Sequence, residues 1–250
     1  MRETHGFFYG LWCIALFSAT AVSVLVVNLF VPSVRHRRGV ARAASRAFLR
    51  AAGIRFDVTG LERLPAEPCV VVANHASYLD GLVVAAALPP AFAFVIKKEM
   101  VRVPLAGFLL RRLGSEFVDR FDSHKGATDT RRVLKRAATG ESLVFFPEGT
   151  FTEQRAVGKF HGGAFATAAR NRMPVVAVAV HGTRNALPAG TLFMRRTPIR
   201  VEVLAIFEHG APLDPHLRDI RQHSRSLIAA AIGEPLNDQA LTPRKAGVVD

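Results

Sequence analysis

The chain changes its hydrophobic rhythm near residue 56. Before that point apolar residues come in long helical stretches, and after it in short runs separated by polar turns. Phe7 to Val31 holds 25 residues without a charge. At 1.5 Å per residue such a helix reaches about 37 Å, enough to cross a hydrocarbon core of roughly 30 Å, a hairpin-like anchor dipping into one leaflet being the alternative. Pro32 ends it and Arg35–Arg38 (RHRR) follows, a charge bias that puts the remainder of the chain on the cytoplasmic side. The apolar run is too long for a signal-peptide core, and Arg2 before it is offset by Glu3. Next, Arg42, Arg46 and Arg50 recur every four residues, while Val40, Ala43, Ala47, Phe48 and Ala51 fall on or near another face. That pattern predicts a basic amphipathic helix on an anionic membrane surface. The competing reading is a helix face packed on the rest of the protein.

Beyond Asp57 the period shortens. CVVVAN (69–74) predicts a buried strand, followed by a helix from about Ser77 to Leu88 that Pro89-Pro90 closes. Further strands are expected at 91–97, 115–120, 142–149 and 174–182, and one near a sheet edge at 199–207. Helices are expected at 126–139, 163–173 and 216–232, before a loose tail. Strands alternating with helices predict an α/β fold: a mixed, mainly parallel sheet flanked by helices, with an N-terminal membrane-anchoring helical segment. The implied organisation is an anchor over 1–56, a catalytic domain over 57–235 and a tail over 236–250.

Composition sharpens this picture. Half of the 250 residues are apolar, which supports a substantial core. The net charge is +13, and residues 1–56 carry eight arginines against one acid, so over half of the excess lies beside the apolar segment. Aromatic-interleaved basic patches are missing, so the charge argues for a membrane and against nucleic acid. The two cysteines, Cys13 and Cys69, have neither disulfide nor zinc spacing.

Three strand exits carry polar residues that packing does not require. In NHASYLD, His75 is a candidate general base and Asp80 a carboxylate to fix its tautomer. Five residues along a helix is about 500°, which turns the two side chains apart. Direct pairing therefore requires His75 to sit in the turn before the helix; otherwise Asn74 or Ser77 merely caps it. In GSEFVDR, Arg120 follows a short strand and offers a fork suited to phosphate. In FFPEGTF, Gly149 can take positive φ beside Glu148, and Thr150 supplies a hydroxyl.

Together these boxes resemble the glycerolipid acyltransferase family, the 1-acyl-sn-glycerol-3-phosphate acyltransferase-like group. NHASYLD is similar to its His-x4-Asp box, GSEFVDR to its second box, FPEGT to its third, and MPVVAVAVHGTR to its fourth, all in order between about Phe56 and Pro212. The resemblance implies acyl transfer from acyl-CoA or acyl carrier protein to a lysophospholipid hydroxyl. His75, Asp80 and Glu148 would be catalytic, and Asn74, Arg120, Gly149 and Thr150 would bind substrate. It implies no metal and no bound cofactor, the thioester being a co-substrate. Partners would be membrane phospholipids, the acceptor and the donor, at the inner membrane if the source is bacterial. Some positions depart from the pattern. Phe151 stands where Arg is usual, leaving Arg155 or Lys159 to supply a phosphate contact, His161 and Gly162 stand where basic residues are common, and Ala177 replaces a proline. These departures open the acceptor to another lysolipid, such as a lyso-aminolipid.

A hydrolase using Ser77 is a rival, though no Gly-x-Ser-x-Gly elbow occurs. A metal site from His75, Asp80, His161 and His181 is another, without ligand spacing to support it.

Overall fold

A computed structural model describes residues 2–119, 123–151, 153–208 and 213–238, with no account of the side chains of 2–5, 123–130 and 213–219. In chain order the elements are α1 (Arg2–Phe30), α2 (Val34–Ala51), β1 (Phe56–Thr59), β2 (Val70–Ala73), α3 (Leu79–Ala87), β3 (Phe92–Lys97), α4 (Ala106–Arg112), β4 (Glu116–Val118), α5 (Ser123–Ala138), β5 (Ser142–Phe145), α6 (Gly163–Arg170), β6 (Val175–His181), α7 (Thr183–Ala186), β7 (Ile199–Phe207) and α8 (Leu213–Ile232). Seven strands form one sheet in the order β1-β7-β6-β2-β5-β3-β4. Every neighbouring pair is parallel except β6 with β7. This is the expected mixed, mainly parallel α/β architecture.

The valines of β2 explain its central place. Val70, Val71 and Val72 are all buried because helices cover both faces of the sheet, so no alternation with polar residues is needed. Val71 and Ala73 face a core shared with α2, α3 and Cys13 of α1, whereas Val70 and Val72 face α5, α6 and α8. The helix after β2 thus lies on one face and the helix after β5 on the other. At such a change of side the strand exits open a crevice, the usual place for a site in this class of fold. Register aligns the exits, because Val72 is opposite Phe145. Counting on by three places His75 level with Glu148.

Three elements were not foreseen: β1, whose four residues are only half buried, and the short helices α4 and α7. β1 lies outside β7, so the strand expected near an edge is the second one in. The start of the expected tail is pinned, since Asn237 N–H donates to Val157 O at 3.0 Å and Arg225 Nη1 lies 2.5 Å from Asp238 Oδ1. The rest of the tail, 239–250, lies outside the described residues.

Two of the three arginines in the α2 stripe, Arg42 and Arg46, are turned inward, against the membrane-facing expectation. Arg46 Nε donates to Ala86 O at 2.7 Å and Arg42 Nη2 to Ala87 O at 3.3 Å, so both arginines cap the C-terminal end of α3. Arg38 Nε reaches Leu113 O at 2.8 Å, and Arg38 Nη1 pairs with Glu141 at 2.5 Å. Phe48 and Leu49 enter the core, leaving His36, Ala43, Ala47 and Arg50 exposed. The last turn of a helix has unpaired carbonyls and partial negative charge, and packing α2 across α3 makes the guanidinium groups their nearest partners.

Gly6–Phe30 of α1 has the length and apolarity of a membrane span, with only 17% of its most apolar window buried. One stripe docks on the body: Tyr9, Gly10, Cys13, Leu16, Val24 and Asn28 are buried or half-buried. Phe7, Leu11, Trp12, Val22, Val26 and Phe30 project away from it, exposed. Both ends are tied. Tyr9 Oη donates to Ala52 O at 2.9 Å near the start, and Arg112 Nη2 donates to Asn28 O at 2.5 Å near the end.

Candidate active site

Ala73 ends β2 and Leu79 begins α3, so His75 lies in the connecting turn, ahead of the helix. Asp80, in the first turn of α3, bends back over it. Its Oδ2 accepts from Ala76 N–H at 2.6 Å and Ser77 N–H at 2.8 Å, and lies 2.9 Å from His75 Nδ1. A carboxylate at a helix start is favoured by the unpaired amides there, and the same oxygen then orients the imidazole. With the Nδ1 proton given to Asp80, Nε2 carries the free lone pair. The Asp80 side chain is fully buried while that of His75 is 22% exposed, so only the histidine meets solvent.

Ring packing fixes the imidazole plane. Phe146 stacks on it with centroids 4.6 Å apart, and Phe151 meets it edge-on at 4.7 Å. Tyr78 closes an aromatic corner with Phe151 at 4.8 Å and 87°.

Glu148 ties the neighbouring exits together. Its Oε1 accepts from His75 N–H at 2.6 Å and its Oε2 from Gly158 N–H at 2.7 Å. Burial pushes this carboxyl up to about 7, with the charge of Asp80 acting in the same direction and the two backbone donors opposing it. Gly149 takes a φ of 81°, which lets its N–H close a tight turn onto Phe146 O at 3.0 Å. Thr150 is half-buried at the rim. Asn74 is buried, and its amide bridges to the Val180 backbone in both directions at 2.8 and 3.0 Å, which joins the β2 and β6 exits. Arg120 lies outside the described residues.

Ser77 is fully buried, with its hydroxyl donating to Leu187 O at 2.8 Å and accepting Leu79 N–H at 3.2 Å. A hydroxyl so committed has no path to an ester carbonyl, which removes the hydrolase nucleophile. Of the histidines in the rival metal set, His181 is engaged by another strand. His181 Nε2 lies 3.2 Å from Glu202 Oε2, and burial lowers its affinity for a proton. Among the described residues no group of three or more His, Cys, Asp or Glu side chains is gathered as a metal would need. Gly158 and Leu187 had no signal in the sequence, because they act through backbone groups. Next to Asn74, a cavity of about 350 Å³ is lined by Arg155, Thr183, Arg184 and Glu234. Arg155 reaches Asn185 Oδ1 there at 2.7 Å, and Lys159 is exposed.

A family model described as acyltransferase matches residues 55–181, half of the chain and all of the geometry around His75 and Glu148. The chain belongs to the acyltransferase family. Its relatives place it in the glycerolipid branch. It is 34% identical over 137 residues to the chloroplastic 1-acyl-sn-glycerol-3-phosphate acyltransferase of Brassica napus, an alignment covering 54% of this chain and 40% of that protein. It is 29% identical over 194 residues to the lyso-ornithine lipid O-acyltransferase of Pseudomonas aeruginosa, covering 76% and 67%. The crystal structure of the 1-acyl-sn-glycerophosphate acyltransferase of Thermotoga maritima superposes with a TM-score of 0.76 over 93% of this chain and 97% of that one. At 18% identity this last likeness speaks for the fold alone.

Proposed function

We propose that this protein transfers a fatty acyl group from acyl-CoA or acyl carrier protein to the free hydroxyl of a lysophospholipid, with lysophosphatidic acid as acceptor and phosphatidic acid as product. The observation that carries this reading is the His75–Asp80 pair at 2.9 Å, one member buried and the other facing solvent. As the acceptor oxygen attacks the thioester carbonyl, His75 Nε2 takes its proton, and Asp80 stabilises the imidazolium that results. The tetrahedral intermediate collapses, the C–S bond breaks, and the leaving thiolate recovers the proton from His75. Glu148 and Asn74 act as positioning residues, since both hold the strand exits together. We assign Arg120, Gly149 and Thr150 to the acceptor site, following the family boxes. Atoms and charges balance with no metal or bound cofactor.

A second acceptor class has its own support. Phe151 fills the position where the family box often carries Arg and presents a ring, not a cation, beside His75. The Pseudomonas aeruginosa relative, aligned over 76% of the chain, is named for a lyso-ornithine lipid. A lyso-aminolipid acceptor is therefore the alternative. We place the catalytic body at the cytoplasmic face, the side of its proposed acyl-CoA or acyl carrier protein donor. We also read α1 as lying in the plane of one leaflet, because a helix tied at both ends to a water-soluble body cannot also cross the bilayer.

The test is an assay of purified protein with acyl-CoA and acyl carrier protein donors against lysophosphatidic acid and lyso-aminolipid acceptors. Transfer to either acceptor supports the reading, and the ratio assigns the headgroup. Thioester consumption without esterified product, or a trapped acyl-enzyme lost in Ser77→Ala, contradicts it.

A further inference from the structure

Beyond α1, two turns of the catalytic body expose large apolar side chains, one at each end of that helix. The first precedes and enters α4: Val103, Leu105 and Phe108 are exposed, Leu105 to 64%. The second is Leu192-Phe193, with Leu192 exposed to 71%. Both turns have the same make-up, an apolar tip with exposed arginines beside it. Arg102 and Arg111 flank the first, and Arg195 and Arg196 follow the second.

Each turn adjoins one end of α1. Phe193 packs on Phe7 with centroids 5.5 Å apart, and it lies so close to Gly10 that an added Cβ there would stand 2.4 Å from its ring. At the other end, Phe108 lies one helical turn before Arg112, which donates to Asn28 O and Leu29 O. The first tip is also held stiffly. Leu105 keeps a positive φ of 59°, and Gly107 N–H bonds Val103 O at 2.8 Å. A leucine at positive φ is strained, and here the strain serves to aim an apolar side chain into solvent. Exposed apolar tips rimmed by arginine, joined to a membrane-facing helix, match the layering of a bilayer surface: acyl chains inside, anionic headgroups around them.

We propose that the 103–108 and 192–193 turns are two further membrane wedges. With the apolar face of α1 they form a three-point footing on one leaflet of an anionic bilayer, Arg102, Arg111 and Arg195 meeting lipid phosphates. The footing rests on the in-plane reading of α1 given above. It would hold the body in one orientation on the leaflet from which a lysolipid must enter, something a single helix, free to roll about its axis, does not do.

The test uses the full chain and phosphatidylglycerol vesicles with brominated acyl chains, which quench tryptophan only at membrane depth. Trp12 is the single native tryptophan and reports on α1. In a Trp12→Phe background, Leu105→Trp and Leu192→Trp report on the two tips, and both are expected to be quenched. Quenching of native Trp12 with no quenching at 105 and 192 overturns the footing and leaves the reading of α1 intact. Absence of quenching at Trp12 overturns that reading itself. As a second measure, Leu105→Ser with Phe108→Ser is expected to weaken vesicle partitioning by about tenfold or more, from the apolar area withdrawn. Its circular dichroism is expected to match wild type. Folded variants that bind vesicles as wild type overturn the proposal, as does lipid-free dimerisation that these substitutions abolish, which would give the tips to a second copy of the chain.

Discussion

The turn at His75 and the stripe on α2 are both sets of charged side chains beside apolar segments, and both spend much of their bonding capacity on backbone groups. They differ in how far away the partners are. Asp80 Oδ2 collects partners three, four and five residues away. Arg46 and Arg42 find theirs 40 and 45 residues away, on α3, and Arg38 reaches 75 residues to Leu113. A local constellation is written into the spacing of the residues. A distant one depends on which helix packs across which, and the periodicity that reveals the stripe is silent about what it faces.

The largest effect should come at the local end. Asp80→Asn puts an amide where the carboxylate gathers two backbone N–H groups and orients His75, so turnover is expected to fall by about 10³ to 10⁴. A steady-state assay reads this, and a loss under tenfold would mean that Asp80 serves only the turn. Next is Glu148→Ala, which leaves the buried N–H groups of His75 and Gly158 without partners. That costs about 1–3 kcal/mol for each group, measurable as a lowered denaturation midpoint.

Glu148 also sets a pH dependence. Its folded value of about 7 lies above the ordinary 4.5, so the folded protein holds this proton more tightly than the unfolded chain. The contribution is fully present below about pH 4.5 and is lost as pH rises through about 7. Thermal stability should therefore decline between those values, and Glu148→Gln should flatten the slope. An unchanged slope in that variant would place the titration elsewhere.

The smallest effect sharpens the other half of the comparison. Arg46→Ala removes one cap from α3 and should cost about 1 kcal/mol of stability while leaving binding to anionic vesicles unchanged. If binding weakens and stability holds, the stripe faces lipid after all.

The same distinction explains what could be read in advance. The valines of β2 and the sequence NHASYLD were enough to predict a buried strand feeding a turn that holds His75, since strand, turn and first helical turn are contiguous. The alternation of strands and helices predicted the α/β sheet. β1 escaped because its four residues, FDVT, are only half buried and owe their pairing to Ile199–Glu202 far along the chain. α4 escaped because its seven residues are too few to show a period. Within the site, the role of Asn74 was open to a capping reading, and only the partner Val180 shows it joining two strand exits. Gly158 and Leu187 contribute an amide and a carbonyl, which every residue has, so no side-chain pattern marks them.

The central claim is that the Nε2 of His75 removes the acceptor proton. The direct measurement is product formation by His75→Ala, with donor thioester and lysolipid at saturation and vesicle binding checked in the same preparation. The account predicts membrane binding as in wild type and transfer reduced by about 10² to 10⁴. Transfer within tenfold of wild type by a folded, membrane-bound His75→Ala protein would contradict it.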